Sequence, residues 1–143
     1  MTKVVIATHG KLAKGFKHSI EFIMGEQPNL VAICAYTPEC TDFILAINNF
    51  IKTVSLEEHI VFTTDLLGGS VNNDLMKICQ RKSRLHLISG INMPLLIQLL
   101  IQIKNSEINR AITESIDSGV KGITDCKDFL RYNKSVSEEF ENF

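Results

Sequence analysis

Four short apolar runs, separated by stretches whose apolar residues recur every three or four positions, constrain this chain more than any other feature. The runs are V-V-I-A from Val4, L-V-A-I-C-A-Y from Leu30 to Tyr36, H-I-V-F-T-T from His59 to Thr64 and L-H-L-I-S from Leu85 to Ser89. Each has the length and the β-branched or aromatic weight of a strand. Between them, Leu12, Phe16, Ile20 and Ile23 form one helical stripe ending near Gly25. Phe43, Ile47, Phe50, Ile51 and Val54 form a second, and Val71, Leu75, Ile78 and Cys79 a third. A strand, a helix and a strand in so few residues make a parallel pair joined by a crossover. Repeated along the chain, this predicts an α/β fold: an open, mostly parallel sheet of four strands in the order 2-1-3-4, with helices on both faces.

The boundaries follow from local chemistry. Thr41 and Asp42 can cap the second helix, and Ser70 can cap the third. Asn92 and the early Pro94 open a fourth, carrying Leu95, Leu96, Leu99, Leu100 and Ile103. A last amphipathic helix begins at Ser106, runs through Ile108, Ile112 and Ile116, and closes at Gly119. Val120 to Ile123 suits a short edge strand. Residues 1–124 are read as one domain, and 125–143 as a loosely held polar tail docked by Phe129, Leu130 and Tyr132.

Composition narrows the class. A chain of 143 residues with 45% hydrophobic and 22% charged residues has room for one packed core and no second domain. The net charge of −1 and the scattered basic residues exclude a nucleic-acid footprint; only Lys11, Lys14 and Lys17 cluster, near His9. They read as a solvated helix face that can also steer an acidic partner. Cys34, Cys40, Cys79 and Cys126 lack C-x-x-C spacing and a histidine at metal-ligand offset, so neither metal nor cofactor is expected. The N-terminal apolar run is too short for a signal peptide, and the run from Met93 to Ile103 covers about half a membrane span, so the expected location is the cytoplasm.

The chemistry centres on V-V-I-A-T-H-G, residues 4–10. His9 stands where the first strand gives way to a helix, and Gly10 follows it. A helix start offers unpaired N–H groups and roughly half a positive charge, which suits an anion such as phosphate. In strand order 2-1-3-4 the first and third strands are neighbours at the switch point, so Asp65, which ends the third, faces His9 across one crevice. A carboxylate accepting Nδ1–H fixes the tautomer and leaves the Nε2 lone pair to attack phosphorus. Gly68, Gly69 and Ser70 can turn backbone N–H groups and a hydroxyl toward phosphate oxygens. His18, His59 and His86 read as structural.

These segments resemble those of a known family. V-V-I-A-T-H-G at 4–10, G-E at 25–26, D-L-L-G-G-S-V-N-N at 65–73 and S-G-I-N-M-P-L-L at 89–96 are similar, in order and spacing, to the IIA domain of the mannose family of the bacterial phosphoenolpyruvate-dependent sugar phosphotransferase system. The resemblance covers Lys3 to Gly122. It implies a phosphotransferase component in which His9 accepts a phosphoryl group from the carrier protein HPr and passes it to a IIB domain or subunit. Asp65 then orients the ring, and Ser70 with the glycine turn lies beside the phosphate. It also implies a homodimer that exchanges an antiparallel edge strand, here about Val120 to Thr124, and an indirect link to membrane subunits IIC and IID, which handle the sugar. Val71 departs from the proline of many members, and Gln98 from a glutamate often found after the P-x-L segment.

Three other readings compete. A dihydroxyacetone kinase phosphotransfer subunit resembles the same fold. A histidine phosphatase also places a histidine before glycine after its first strand, but with an arginine before it, where Thr8 stands here, and a later partner histidine that His86 would have to supply. A flavodoxin-like binding module would need no nucleophile.

Overall fold

The structure, a computed structural model, describes residues 1–133. Its elements are β1 (Lys3–His9), α1 (Leu12–Met24), β2 (Leu30–Ala35), α2 (Phe43–Thr53), β3 (Ile60–Thr64), α3 (Ser70–Cys79), β4 (Leu85–Ser89), α4 (Met93–Gln102), α5 (Ile108–Lys121) and α6 (Cys126–Tyr132). The four strands form one sheet, order β2-β1-β3-β4, with every neighbouring pair parallel. The α/β class and strand order expected above are therefore those of the molecule.

Period-two alternation within β1 sends its residues to two separate cores. Val4 and Ile6 join Ile20, Val61, Ile88, Leu96 and Leu99 on one face. Val5 and Ala7 join Phe43, Ile47, Phe62, Val71 and Leu75 on the other. A central strand with helices on both sides is apolar along its whole length, as the V-V-I-A run requires.

Helix starts show how side chains set boundaries. The Asp42 carboxylate accepts from Leu45 N at 3.0 Å, and the Asn92 amide oxygen accepts from Leu95 N at 3.1 Å with Pro94 in the first turn. On α1 the buried side is turned from the expected stripe: Ala13 and Ile20 are buried while Leu12 and Ile23 are exposed.

The C-terminal third differs most from expectation. Glu107, one residue after Ser106, caps α5 by accepting from Asn109 N and Arg110 N. Gly119 does not end this helix; it is buried within it, where a Cβ would come within 2.8 Å of Leu95 Cβ. Ala111, Ser115 and Gly119 form the face that α4 approaches, and Asn92 donates its amide to Gly119 O at 2.8 Å. Val120 and Lys121 stay helical, and Ile123 N and Thr124 Oγ1 bond back to Val120 O and Lys121 O. Those turn bonds occupy the backbone of the expected edge strand, so within this single chain Val120 to Thr124 forms none and β4 ends the sheet. Asp125 then caps the short α6, none of whose residues is buried. Residues 134–143 of the expected tail lie outside the described residues.

Candidate active site

At the carboxyl ends of β1 and β3 the sheet delivers two side chains to one point. Ala7 pairs with Thr64 in register, so Asp65, one residue beyond Thr64, and His9, two beyond Ala7, leave adjacent strands close together. Asp65 Oδ2 accepts both the His9 backbone N–H, at 3.0 Å, and His9 Nδ1, at 3.0 Å; Oδ1 lies 3.3 Å from Nδ1. Burial pushes the Asp65 carboxyl up, but the His9 backbone N–H and imidazole together outweigh it and hold the group below its ordinary 3.8. An ionised carboxylate can only accept, so Nδ1 carries the proton and Nε2 keeps its lone pair. The His9 side chain is 40% exposed and that of Asp65 16%, so the carboxylate is sheltered while the ring meets solvent.

Ser70 Oγ lies 3.2 Å from Nε2. The sequence pattern casts Ser70 as a helix cap, but Gly69 holds the cap position and no side chain caps α3. Ser70 is the first residue of the helix, with its hydroxyl turned to the imidazole instead. With no side-chain cap, α3 begins with open backbone N–H groups, and Ser70 at its first position sets that helix end beside His9.

The glycine turn is built differently from a phosphate nest. Gly68 N donates to Asn72 Oδ1 at 3.1 Å and Gly69 N to Leu66 O at 3.2 Å, so both N–H groups are consumed inside the loop. Gly10 N likewise donates to Ala35 O. Open N–H groups therefore belong to the start of α3 and not to Gly10, Gly68 or Gly69. What the glycines supply is shape: a Cβ on Gly69 would meet His9 Cε1 at 3.2 Å and Leu66 O at 3.3 Å.

Three participants carry no signal in the pattern of the chain. Asn72, buried, donates to Thr64 Oγ1 at 3.1 Å while accepting from Gly68, tying the loop to β3. Thr8 Oγ1 accepts Ala13 N at 2.7 Å and caps α1 from within the strand. Tyr36 donates its hydroxyl to Ser70 Oγ at 2.7 Å and sets its ring 5.7 Å from that of His9. Asn72 lies within D-L-L-G-G-S-V-N-N, but nothing there singles it out, and nothing near Tyr36 points 34 residues ahead to Ser70.

Other expected features fall elsewhere. Lys14 pairs with Glu39 and Lys17 with Glu21, which leaves Lys11 as the member of the cluster without an ion pair among the described residues. His86 lies near the amino end of β4, opposite Val61, and its Nε2 is 2.9 Å from His59 Nδ1. No helix among the described residues is long and apolar enough to cross a membrane.

The comparisons with known proteins place this α/β fold, with His9 held by Asp65 at its switch point, in one family. The family model of the phosphotransferase system fructose IIA component, EIIA-man, matches residues 3–116, and the chain belongs to that family. A fructose-specific EIIA component from Bacillus subtilis is 27% identical over 101 residues, 70% of this chain and 69% of that protein. The mannose-specific EIIAB component of Escherichia coli is 25% identical over 122 residues, 84% of this chain but 38% of that protein. Among solved structures, a Klebsiella pneumoniae protein ascribed to the phosphoenolpyruvate-dependent sugar phosphotransferase system superposes with a TM-score of 0.83 at 30% identity, covering 90% of this chain and 93% of its own.

Proposed function

We propose that this chain is a phosphohistidine carrier: His9 Nε2 takes a phosphoryl group from the phosphohistidine of HPr and hands it to a IIB partner during coupled sugar uptake and phosphorylation. The observation that carries the reading is the 3.0 Å bond from His9 Nδ1 to Asp65. In the transfer the Nε2 lone pair forms the new N–P bond while the donor's N–P bond breaks, its electron pair remaining on the donor nitrogen. His9 keeps its Nδ1 proton, so the phosphorylated ring is cationic and the Asp65 carboxylate balances that charge. Ser70 and the open start of α3 supply donors to the phosphoryl oxygens.

Partner choice has support on the surface. Leu12, Leu66 and Leu67 are exposed around the crevice, an apolar rim suited to a protein face and wasteful for a small solute. A helix terminus stabilises charge by typically 0.3–1 kcal/mol, whereas in-line positioning supplies about 7–11 kcal/mol, so the docked partner contributes more to the rate than local charge does. The E. coli relative bears the name EIIAB, which fits a IIB unit as the next acceptor. The phosphatase reading loses its second histidine, because His86 is at the opposite end of the sheet from His9.

The test is incubation with phosphoenolpyruvate, enzyme I and HPr, followed by assay for an acid-labile, base-stable adduct. Wild type acquires one such group, and the His9→Ala variant acquires none. An adduct of equal yield on that variant would remove the proposal.

A further inference from the structure

The carrier reading leaves Tyr36 without a role, yet the fold goes to some trouble over it. Tyr36 directly follows β2 with φ at 61°, and among the described residues it is the one non-glycine with positive φ. Such a conformation is uncommon for a bulky side chain and persists where surrounding contacts impose it. Here Tyr36 N donates to Cys40 O, Cys40 N to Thr37 O, and Thr37 Oγ1 to Cys34 O, a tight loop that fixes the tyrosine backbone. The result turns the ring toward His9 and the hydroxyl onto Ser70 Oγ at 2.7 Å, while the side chain stays over half exposed.

We propose, building on the carrier reading, that Tyr36 is a positioning residue for phosphoryl transfer: by donating to Ser70 Oγ it directs the Ser70 hydroxyl proton at the reacting face of His9 Nε2. The hydrogen bonds have one polarity throughout. Tyr36 O–H donates to Ser70 Oγ, Ser70 O–H to Nε2, and Nδ1–H to Asp65. A hydroxyl has one proton, and a donor already bound to its oxygen both steers that proton and makes it more acidic. In the resting protein the relay reinforces the tautomer that Asp65 selects. When the Nε2 lone pair becomes the N–P bond, Ser70 O–H loses its acceptor and turns to a phosphoryl oxygen, still polarised by Tyr36. The bond from Tyr36 to Ser70 is thus worth most after the phosphoryl group arrives, when charge on that oxygen is greatest.

The experiment uses wild type, Tyr36→Phe, Ser70→Ala and the double variant, each phosphorylated by enzyme I and HPr with phosphoenolpyruvate. Phenylalanine keeps the ring against His9 and removes only the hydroxyl. Tyr36→Phe is expected to lower kcat about fivefold, one ordinary hydrogen bond, with KM for HPr unchanged. In the Ser70→Ala background the same substitution costs nothing further, because Tyr36 acts through Ser70. In parallel, 15N spectra of the unphosphorylated proteins show the His9 Nε2 resonance of Tyr36→Phe moving toward that of an unbonded lone pair. Equal kcat in wild type and Tyr36→Phe, or an equal loss with and without Ser70, overturns the inference. Should wild type take no phosphate at His9, the carrier reading itself fails, and an unmoved Nε2 resonance then overturns the relay on its own.

Discussion

Two imidazoles at opposite ends of one sheet differ in what holds them, and the proposed carrier role rests on that difference. At the carboxyl end, His9 bonds a carboxylate through Nδ1 and presents Nε2 to an exposed crevice. At the amino end, His86 bonds another imidazole, that of His59, at 2.9 Å, with the rings tilted 37° and 5.1 Å apart. The distances are alike; the partners differ. A carboxylate only accepts, so it fixes one tautomer, with the proton on Nδ1. A second imidazole fixes no tautomer by itself and opposes charge. Burial first, and then His59, push the His86 pKa below its ordinary 6.5, against the smaller upward pull of Glu107. One end holds its ring in a fixed tautomer beside a carboxylate, and the other keeps its ring neutral.

Substitutions should separate the two ends sharply. The largest effect is expected from His9→Ala, with complete loss of acid-labile labelling, whereas His86→Ala leaves the labelling rate unchanged. Next comes Asp65→Asn, folded but slower by roughly 10²–10⁴, because the amide no longer compels Nδ1 to carry the proton. Stopped-time labelling with a circular dichroism control checks it, and a rate equal to wild type would show that the carboxylate does not orient the ring. A smaller loss, about tenfold, is expected for Gly69→Ala. Its φ of −68° suits alanine, so the effect comes from a Cβ 3.2 Å from His9 Cε1 and 3.3 Å from Leu66 O. Normal transfer in that variant would mean the ring has slack at this wall.

The mildest contrast lies in the pH dependence of stability. The folded His86 pKa is depressed, so its contribution is present above pH ~6.5 and lost as pH falls through that value toward the folded one. Asp65 is also depressed, but from 3.8, so its contribution survives until pH falls below about 4. Urea unfolding of His86→Gln should flatten the slope just below pH 6.5, and Asp65→Asn should flatten it only below about pH 4. The reverse assignment would contradict the two environments described for the rings.

Much of this arrangement could be read from the chain because it rests on local pattern. Strand runs fully buried on both faces, such as Val4 to Ala7, look the same in sequence and in space, and the strand order follows from them with few alternatives. His9 and Asp65 were legible for the same reason, since one ends a strand and the other directly follows one. Side chains whose partners are set by tertiary approach were not. Tyr36 reads as the last residue of an apolar run, and only the sharp turn at Cys40 lifts it out of β2 to meet Ser70. Ser70 reads as a cap because hydroxyls usually cap, but here the imidazole competes for it. Gly119 reads as a helix stop until α4 is seen pressing on it, and Ala111, Ser115 and Gly119 are invisible to a pattern that weighs large apolar residues most.

The most direct measurement is to phosphorylate the 15N-histidine-labelled chain with HPr and record phosphorus–nitrogen couplings. Phosphorus coupled to Nε2 of His9, with a proton retained on Nδ1, is the expected spectrum. Coupling to Nδ1, or to any nitrogen outside residue 9, would contradict the assignment of which face of the ring Asp65 leaves open.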